Sequence, residues 1–190
     1  SYGFYREGIA DRDYTVDAVL QGLAAHASTH GPGVLNTGSL MLIPPEIDKV
    51  QAVVQQARAA GWTISMDVNL RPQVAGDVPA YASAIRALLP FADWIKASDE
   101  DIEWLYQGKR DVDDVAREWA QTSLVLITRG ADGTSIFRGS ERMDVASRKI
   151  NVVDTVGAGD TFCANLLGQL QDEGYLATDL NKIPSDALRN

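Results

Sequence analysis

The sequence has one cysteine, no long apolar run and no excess of basic residues. Cys163 has no second cysteine with which to form an internal disulfide. No apolar run approaches the roughly 20 residues that span a bilayer. The net charge of −9 at pH 7 argues against the clustered Lys and Arg that bind nucleic acid. These absences favour a cytoplasmic protein that binds neither membranes nor nucleic acid.

The chain also lacks an initiating Met and a basic-plus-apolar leader. It opens on Ser1, and its first residues are typical of the interior of a strand. Its 190 residues, 45% of them hydrophobic, are enough for one substantial core. We therefore expect residues 1–190 to form a single, partial α/β domain of a longer protein.

Short apolar runs alternate with amphipathic stretches between residues 34 and 128, as expected for parallel strands joined by crossover helices. The clearest buried strand is predicted at 124–128. A helix is predicted after Pro45, because its apolar residues fall at helical spacing: Ile47, Val50, Val54 and Ala57. Beyond residue 128, turn residues separate two short alternating runs at 134–137 and 142–145. The pattern predicts a mainly parallel sheet, covered on both faces, with an antiparallel edge.

Two glycines flank one alanine at the predicted start of an apolar helix. The backbone N–H groups of Gly157, Ala158 and Gly159 would form a site for an anion. Asp160 is unusual there, because a carboxylate repels a resting phosphate. It is useful if it takes a proton from an attacking hydroxyl while the N–H groups hold a transferring phosphoryl. The alternative is a plain helix start, with Asp160 stabilised by the helix dipole.

Asn69 and Arg71 come just after the predicted strand at residues 63–66. Open α/β sheets bind ligands at this end of their strands, so both side chains are candidate ligand contacts. The alternative is a surface turn with an exposed arginine.

The segment DTVGAGDTF at 154–162 resembles the C-terminal signature of the ribokinase-like (PfkB) carbohydrate kinases. The resemblance implies that Asp160 is the catalytic base for the acceptor hydroxyl and that Gly157, Ala158 and Gly159 form the anion hole. It also implies ATP and Mg²⁺ as cofactors. Asp154 matches an aspartate that helps to build a monovalent-cation site in several members, which leaves K⁺ open as a further cofactor.

Other segments match the family in the same order. Residues 67–72 are similar to its D-x-N-x-R strand end, which implies that Asn69 and Arg71 face the phosphates. Residues 96–101 stand in place of its N-x-x-E element, with Ser98 and Asp101 where the family has Asn and Glu. Because Asp101 is one methylene shorter, a water-mediated Mg²⁺ contact and a capping box at a helix start both remain open.

Thr128, Gly130 and Gly133 lie in a segment that resembles the T-x-G-x-x-G turn with which the family lines its nucleotide. A plain hairpin turn is the alternative, and both interpretations can hold at once.

Residues 4–11 are similar to the end of the lid strand in fructokinases and 2-keto-3-deoxygluconate kinases. Residues 1–10 are accordingly interpreted as the remnant of a small β lid, with Arg6 reaching a sugar or phosphate. Whether the protein forms a homodimer through the lid is left open. Residues 35–40 fit the fructokinase branch, in which Gly38 gives the sugar room, although the usual aromatic residue after D-x-N-x-R is missing.

The resemblance therefore implies ATP-dependent phosphorylation of a sugar primary hydroxyl, with D-fructose as the first candidate. Ribose, 2-keto-3-deoxygluconate and nucleosides are alternative acceptors. A catalytically inactive module of the same fold that senses nucleotide or sugar is a further alternative.

Overall fold

A six-stranded sheet organises the computed structural model, within the described residues 12–149, 151, 153–175, 179 and 182–189. The strands follow one another in chain order across the sheet, with β1 to β4 parallel and β5 and β6 antiparallel. The strands are β1 (Val34–Gly38), β2 (Thr63–Asp67), β3 (Trp94–Ser98), β4 (Leu124–Thr128), β5 (Thr134–Arg138) and β6 (Glu141–Val145). The predicted parallel sheet with an antiparallel edge is confirmed.

Helices connect the parallel strands. The α-helices are α1 (Val16–His30), α2 (Glu46–Ala59), α3 (Val78–Leu88), α4 (Asp99–Tyr106), α5 (Val112–Trp119) and α6 (Ala158–Asp172). Short 3-10 helices lie at Ser39–Leu42, Pro72–Val74, Leu89–Phe91 and Gly130–Asp132. None of the described helices is long and apolar enough to cross a membrane.

The local sequence explains where these helices form and which side they bury. Helix α2 follows Pro45, and the four apolar residues of its predicted stripe, Ile47, Val50, Val54 and Ala57, are all buried. Helix α4 begins at a capping box, and α3 and α5 begin at Asp77 and Asp111, whose carboxylates accept backbone N–H groups of the first turn. Packing of the apolar stripes then attaches the helices to the sheet.

The sheet is covered on both faces, as predicted. Each connection between neighbouring parallel strands is right-handed as a rule, which places α2 to α5 together on one face. Successive strand residues alternate between two cores: Ile95 and Val125 pack on the side of α2 to α5, whereas Trp94 and Leu124 pack with Leu170 of α6. The predicted lid remnant at residues 1–10 lies outside the described residues.

Gly38 lies at a close approach between β1 and β2. It stands opposite Asp67 in the parallel register, and a Cβ built on it would lie 1.9 Å from the Asp67 carbonyl oxygen. No side chain fits without moving backbone, so packing alone requires glycine here. The predicted role of Gly38 in giving the sugar room stays a prediction.

We expect Gly38→Ala to lower the free energy of unfolding by at least about 1–3 kcal/mol, because overpacking forces the two strands apart. Gly22→Ala is the matched control, since nothing lies within 4 Å of a Cβ there. In the interior of α1 the control should stabilise by about 0.5–1 kcal/mol. Urea unfolding of both variants measures the difference, and equal stability of the two would contradict the close approach.

Candidate active site

The candidate site lies where β1 to β4 end. Because these strands are parallel, Gly38, Asp67, Ser98 and Thr128 all reach the same edge of the sheet. We call it the carboxyl edge. Open α/β sheets bind ligands there, and the polar segments found in the sequence follow directly from these strand ends.

Helix α6 brings its glycine-rich start to the carboxyl edge. Gly157 caps the helix in the left-handed conformation, with φ of 76°, and Asp160 lies exposed in the first turn. The N–H groups of a first helical turn have no preceding helical carbonyl to bond, which makes them candidate contacts for an anion. Here the Ala158 N–H donates to the Thr155 carbonyl oxygen at 3.1 Å. Asn69 Nδ2 donates to Asp160 Oδ1 over 3.4 Å, which joins the segment after β2 to the start of α6.

Arg71 holds Asn69 in place. Its Nη1 donates to Asn69 Oδ1 at 2.6 Å and to the Leu70 carbonyl oxygen at 2.8 Å. Asn69 has a positive φ of 35°, an uncommon conformation that asparagine tolerates better than most residues. The three side chains therefore form a chain of contacts from Arg71 through Asn69 to Asp160.

Asp101 is buried, and each of its carboxylate oxygens accepts one backbone N–H. Its Oδ1 accepts the Leu70 N–H at 2.9 Å and its Oδ2 accepts the Ser98 N–H at 2.8 Å, while Ser98 Oγ accepts the Asp101 N–H. The capping box is confirmed. Asp101 also fixes the segment that carries Asn69 and Arg71, whereas its contact with Mg²⁺ stays a prediction.

The turn after β4 is a tight hairpin connection, in agreement with the plainer of its two interpretations. Thr128 pairs with Thr134, and the Arg129 N–H donates to the Gly133 carbonyl oxygen at 2.8 Å. The Arg129 side chain points to Asp113 of α5, with which it forms an ion pair. Gly130 lies in the same turn, at the carboxyl edge, so a nucleotide contact remains compatible with the hairpin.

A buried ion pair that the sequence analysis did not assign lies beneath these loops. Lys96 Nζ donates to Asp67 Oδ1 at 3.0 Å, and both side chains are only 9% exposed. The two residues are direct neighbours in the parallel register of β2 and β3 and point to the face covered by α6. Burial raises the pKa of Asp67, and the ammonium of Lys96 opposes that rise. The available signal was one lysine in a strand of apolar residues.

Helix α6 rests on this ion pair. A Cβ built on Gly159 would lie 2.9 Å from Lys96 Nζ, so the absence of a side chain lets the helix start approach the ammonium. One turn further, Cys163 Sγ lies 3.6 Å from Asp67 Oδ2. Burial, and then the Asp67 charge, raise the pKa of the Cys163 thiol to about 12. The thiol is protonated at neutral pH, as expected of a packing residue and not of a nucleophile.

The remaining candidate residues are less tightly placed. Asp154 is exposed, and its Oδ1 accepts the Val156 N–H at 3.0 Å in the turn before α6. Arg6 lies outside the described residues. Within the described ranges, no group of three or more His, Cys, Asp or Glu side chains is placed to hold a metal ion. Mg²⁺ bound largely through water and phosphate needs only one or two protein carboxylates.

An open α/β sheet with a glycine-rich helix start and an exposed carboxylate at its carboxyl edge is an arrangement typical of α/β proteins that handle phosphate. The family model described as pfkB family carbohydrate kinase matches residues 34–181. The chain therefore belongs to the pfkB family of carbohydrate kinases.

Similar sequences and similar solved structures support the assignment to this family. A fructokinase from Rhizobium leguminosarum bv. trifolii is 36% identical over 194 aligned residues, which cover the whole chain but 57% of that protein. A fructokinase from Vibrio cholerae O395, solved with fructose, ADP and calcium, is 26% identical with a TM-score of 0.66 over 73% of this chain and 46% of its own.

The fold is also that of a fructokinase from Xylella fastidiosa with bound ATP, at a TM-score of 0.78 and 23% identity. That match covers 93% of this chain and 55% of the other. The chain thus spans about half the length of these proteins.

Removing Lys96 should leave Asp67 as a buried carboxylate without a cation. We expect Lys96→Met to lower the free energy of unfolding at neutral pH by about 3–5 kcal/mol. The pKa of Asp67, already raised by burial, rises further without Lys96, so the folded variant binds a proton more readily than the unfolded chain. Its stability should therefore recover as the pH falls through that pKa. Urea unfolding across a pH series measures this recovery.

The control is the double variant Lys96→Met with Asp67→Asn, in which no charge is left behind. It should regain part of the lost stability and follow the pH dependence of the wild type more closely. A deficit of Lys96→Met that is the same at every pH would show that the lost stability does not come from the charge left on Asp67.

Proposed function

We propose that the protein to which this chain belongs transfers the γ-phosphoryl group of ATP to the primary hydroxyl of a sugar. The observation that carries the proposal is the position of Asp160, exposed in the first turn of α6 and in contact with Asn69. The Asp160 carboxylate accepts the hydroxyl proton as the hydroxyl oxygen forms a bond to the γ-phosphorus. The bond from phosphorus to the bridging oxygen breaks, and ADP leaves.

Fixed positive groups would balance the charge that develops on the phosphoryl oxygens. The backbone N–H groups of Gly157, Ala158 and Gly159 supply the anion hole, and the Lys96 ammonium lies directly beneath Gly159. Arg71 adds a guanidinium at the same edge of the sheet. Mg²⁺ would further neutralise the phosphates.

Asp101 suits a water-mediated contact with Mg²⁺. Each of its oxygens accepts one backbone N–H and keeps a further lone pair for a water molecule. Thr128, Gly130 and Gly133 would line the nucleotide. Ser98 would belong to the metal and phosphate water network.

D-fructose is the acceptor we propose, because the two similar proteins from Rhizobium and Vibrio are fructokinases. Gly38 and Arg6 would contact the sugar, and 2-keto-3-deoxygluconate, ribose and nucleosides are the alternative acceptors.

Asp154 would contribute to a K⁺ site beside the nucleotide. We also propose that the full-length protein forms a homodimer through its lid.

A nucleotide- or sugar-sensing module without catalysis is the second candidate. Asp101 favours it, because both oxygens of the residue that replaces the family's Glu are engaged by backbone N–H groups. ATP binding by the full-length protein, without turnover of any hexose, pentose or nucleoside in a phosphorylation screen, would favour the sensor. ATP-dependent phosphorylation of fructose would favour the kinase.

If Asp160 is the general base, Asp160→Asn removes the proton acceptor while keeping the size of the side chain. We expect the single-turnover rate of the full-length protein to fall by about 10²- to 10⁴-fold or more. Affinity for a non-hydrolysable ATP analogue should be unchanged or slightly higher, because a negative charge beside the γ-phosphate is lost. Rapid-quench kinetics and calorimetric titration measure the two quantities separately.

Asp172→Asn is the matched control, since Asp172 is exposed at the far end of the same helix. It should leave the single-turnover rate unchanged. An Asp160→Asn variant that keeps more than about a tenth of the wild-type rate, outside the usual range for a lost general base, would leave Asp160 as a helix-stabilising acid.

Arg71→Ala should lower kcat/KM by about 10- to 100-fold, the effect of losing a hydrogen bond to a charged group. Three of its side-chain hydrogen bonds join Nη1 to Asn69 and Leu70 in the same loop. We expect the melting temperature to fall by only a few degrees, on the order of 1 kcal/mol of stability. Arg71→Lys keeps the charge and should recover part of the activity. Normal kinetics combined with a large loss of stability would show that Arg71 serves the fold alone.

A further inference from the structure

A second pocket lies at the opposite edge of the sheet, where β3 and β4 begin. The residues that line it include Ile95 and Ser123, together with Tyr106 from the end of α4 and Trp119 from the end of α5. Its volume is about 370 Å³, which falls within the range of small-molecule sites. We call it the amino-edge pocket. The strands and helices separate it from the carboxyl edge, so it is not part of the candidate active site.

Two arginines contact the same aromatic ring in this pocket. The guanidinium carbon of Arg86 lies 5.8 Å from the centre of the Tyr106 ring, and that of Arg110 lies 5.2 Å from it. Cation–π contacts hold each group in place, but the two positive charges repel each other. This arrangement concentrates positive charge in a protein whose net charge is −9.

Only one of the two charges is matched by a carboxylate. Arg110 forms an ion pair of 2.7 Å with Glu118, whose side chain is 58% exposed. Arg86 is half-buried and donates to the Leu105 carbonyl oxygen at 2.7 Å, in the last turn of α4. Among the described residues, no carboxylate lies within ion-pair distance of Arg86. The partners of Arg86 are thus a carbonyl oxygen and an aromatic ring, neither of which carries a negative charge, so an anion in the pocket would add the charge-assisted hydrogen bond that this guanidinium lacks.

We propose that the amino-edge pocket binds a small organic anion, a phosphate or carboxylate on an apolar body. Arg86 and Arg110 would hold the anionic group, because a guanidinium matches either group with paired N–H donors. The apolar body would pack on Trp119 and on Pro90 at the pocket wall. Glu118 competes with the anion for Arg110, and its exposed side chain can move aside into solvent.

Calorimetric titration of the full-length protein with phenyl phosphate and, separately, with benzoate tests the proposal. Either probe should show saturable binding, and the stronger one identifies the anionic group. Arg86→Gln should weaken that binding at least about tenfold, the effect of one lost charge-assisted hydrogen bond. Glu118→Gln should strengthen it several-fold, because the competing carboxylate is gone. If Arg86 served only to cap α4, the two variants would not change the affinity for the probe in opposite directions.

Arg117→Gln is the matched control, since Arg117 lies on the same helix as Glu118 but pairs with Asp113 and Asp114. It should leave the affinity unchanged. Repeating the titration with a saturating non-hydrolysable ATP analogue should also leave it unchanged, whether or not the protein proves to be an active kinase. Absence of saturable binding of both probes at millimolar concentrations would overturn the proposal. So would affinity that survives Arg86→Gln, affinity that Glu118→Gln leaves unchanged, or displacement of the probe by the ATP analogue.

Discussion

The buried ion pair between Asp67 and Lys96 links the sheet to the helix that carries the candidate catalytic residue. Each partner comes from one of two neighbouring strands, and α6 approaches both through Gly159 and Cys163. A buried ion pair contributes little net stability compared with apolar packing, because both charges lose their water. Leaving either charge without its partner in this buried place would be costly, however. The ion pair therefore restricts the position that α6 can take on the sheet. The position of Asp160 depends on that restriction.

Parallel strands and right-handed connections account for the rest of the arrangement. They bring four strand ends to one edge of the sheet, so residues from distant parts of the chain meet there without any long loop. Asp101 then bonds the segment after β2 through the Leu70 N–H, and Asn69 reaches α6. The opposite edge of the same sheet carries a different chemistry, in which two arginines share one tyrosine ring.

Much of the fold could be predicted from local patterns. The apolar stripe of α2 and the strand at Leu124–Thr128 were predicted at their observed positions, because helical spacing and a short buried run are local properties. The capping box at Ser98 was one of two open interpretations and is confirmed, since its two hydrogen bonds lie within three residues. The lysine of β3 was not assigned a role, because nothing nearby in sequence identifies its partner across the sheet.

The sequence by itself determined the family, the order of the strands and helices, and which residues are candidates for chemistry. Those properties depend on spacing within short segments and on a distinctive glycine-rich motif. Only the tertiary structure decided that Lys96 pairs with Asp67, that Arg71 holds Asn69 against Asp160, and that two arginines meet at Tyr106. These contacts depend on strand register and on how helices pack on the sheet. Both are set by the burial of side chains from the whole chain at once.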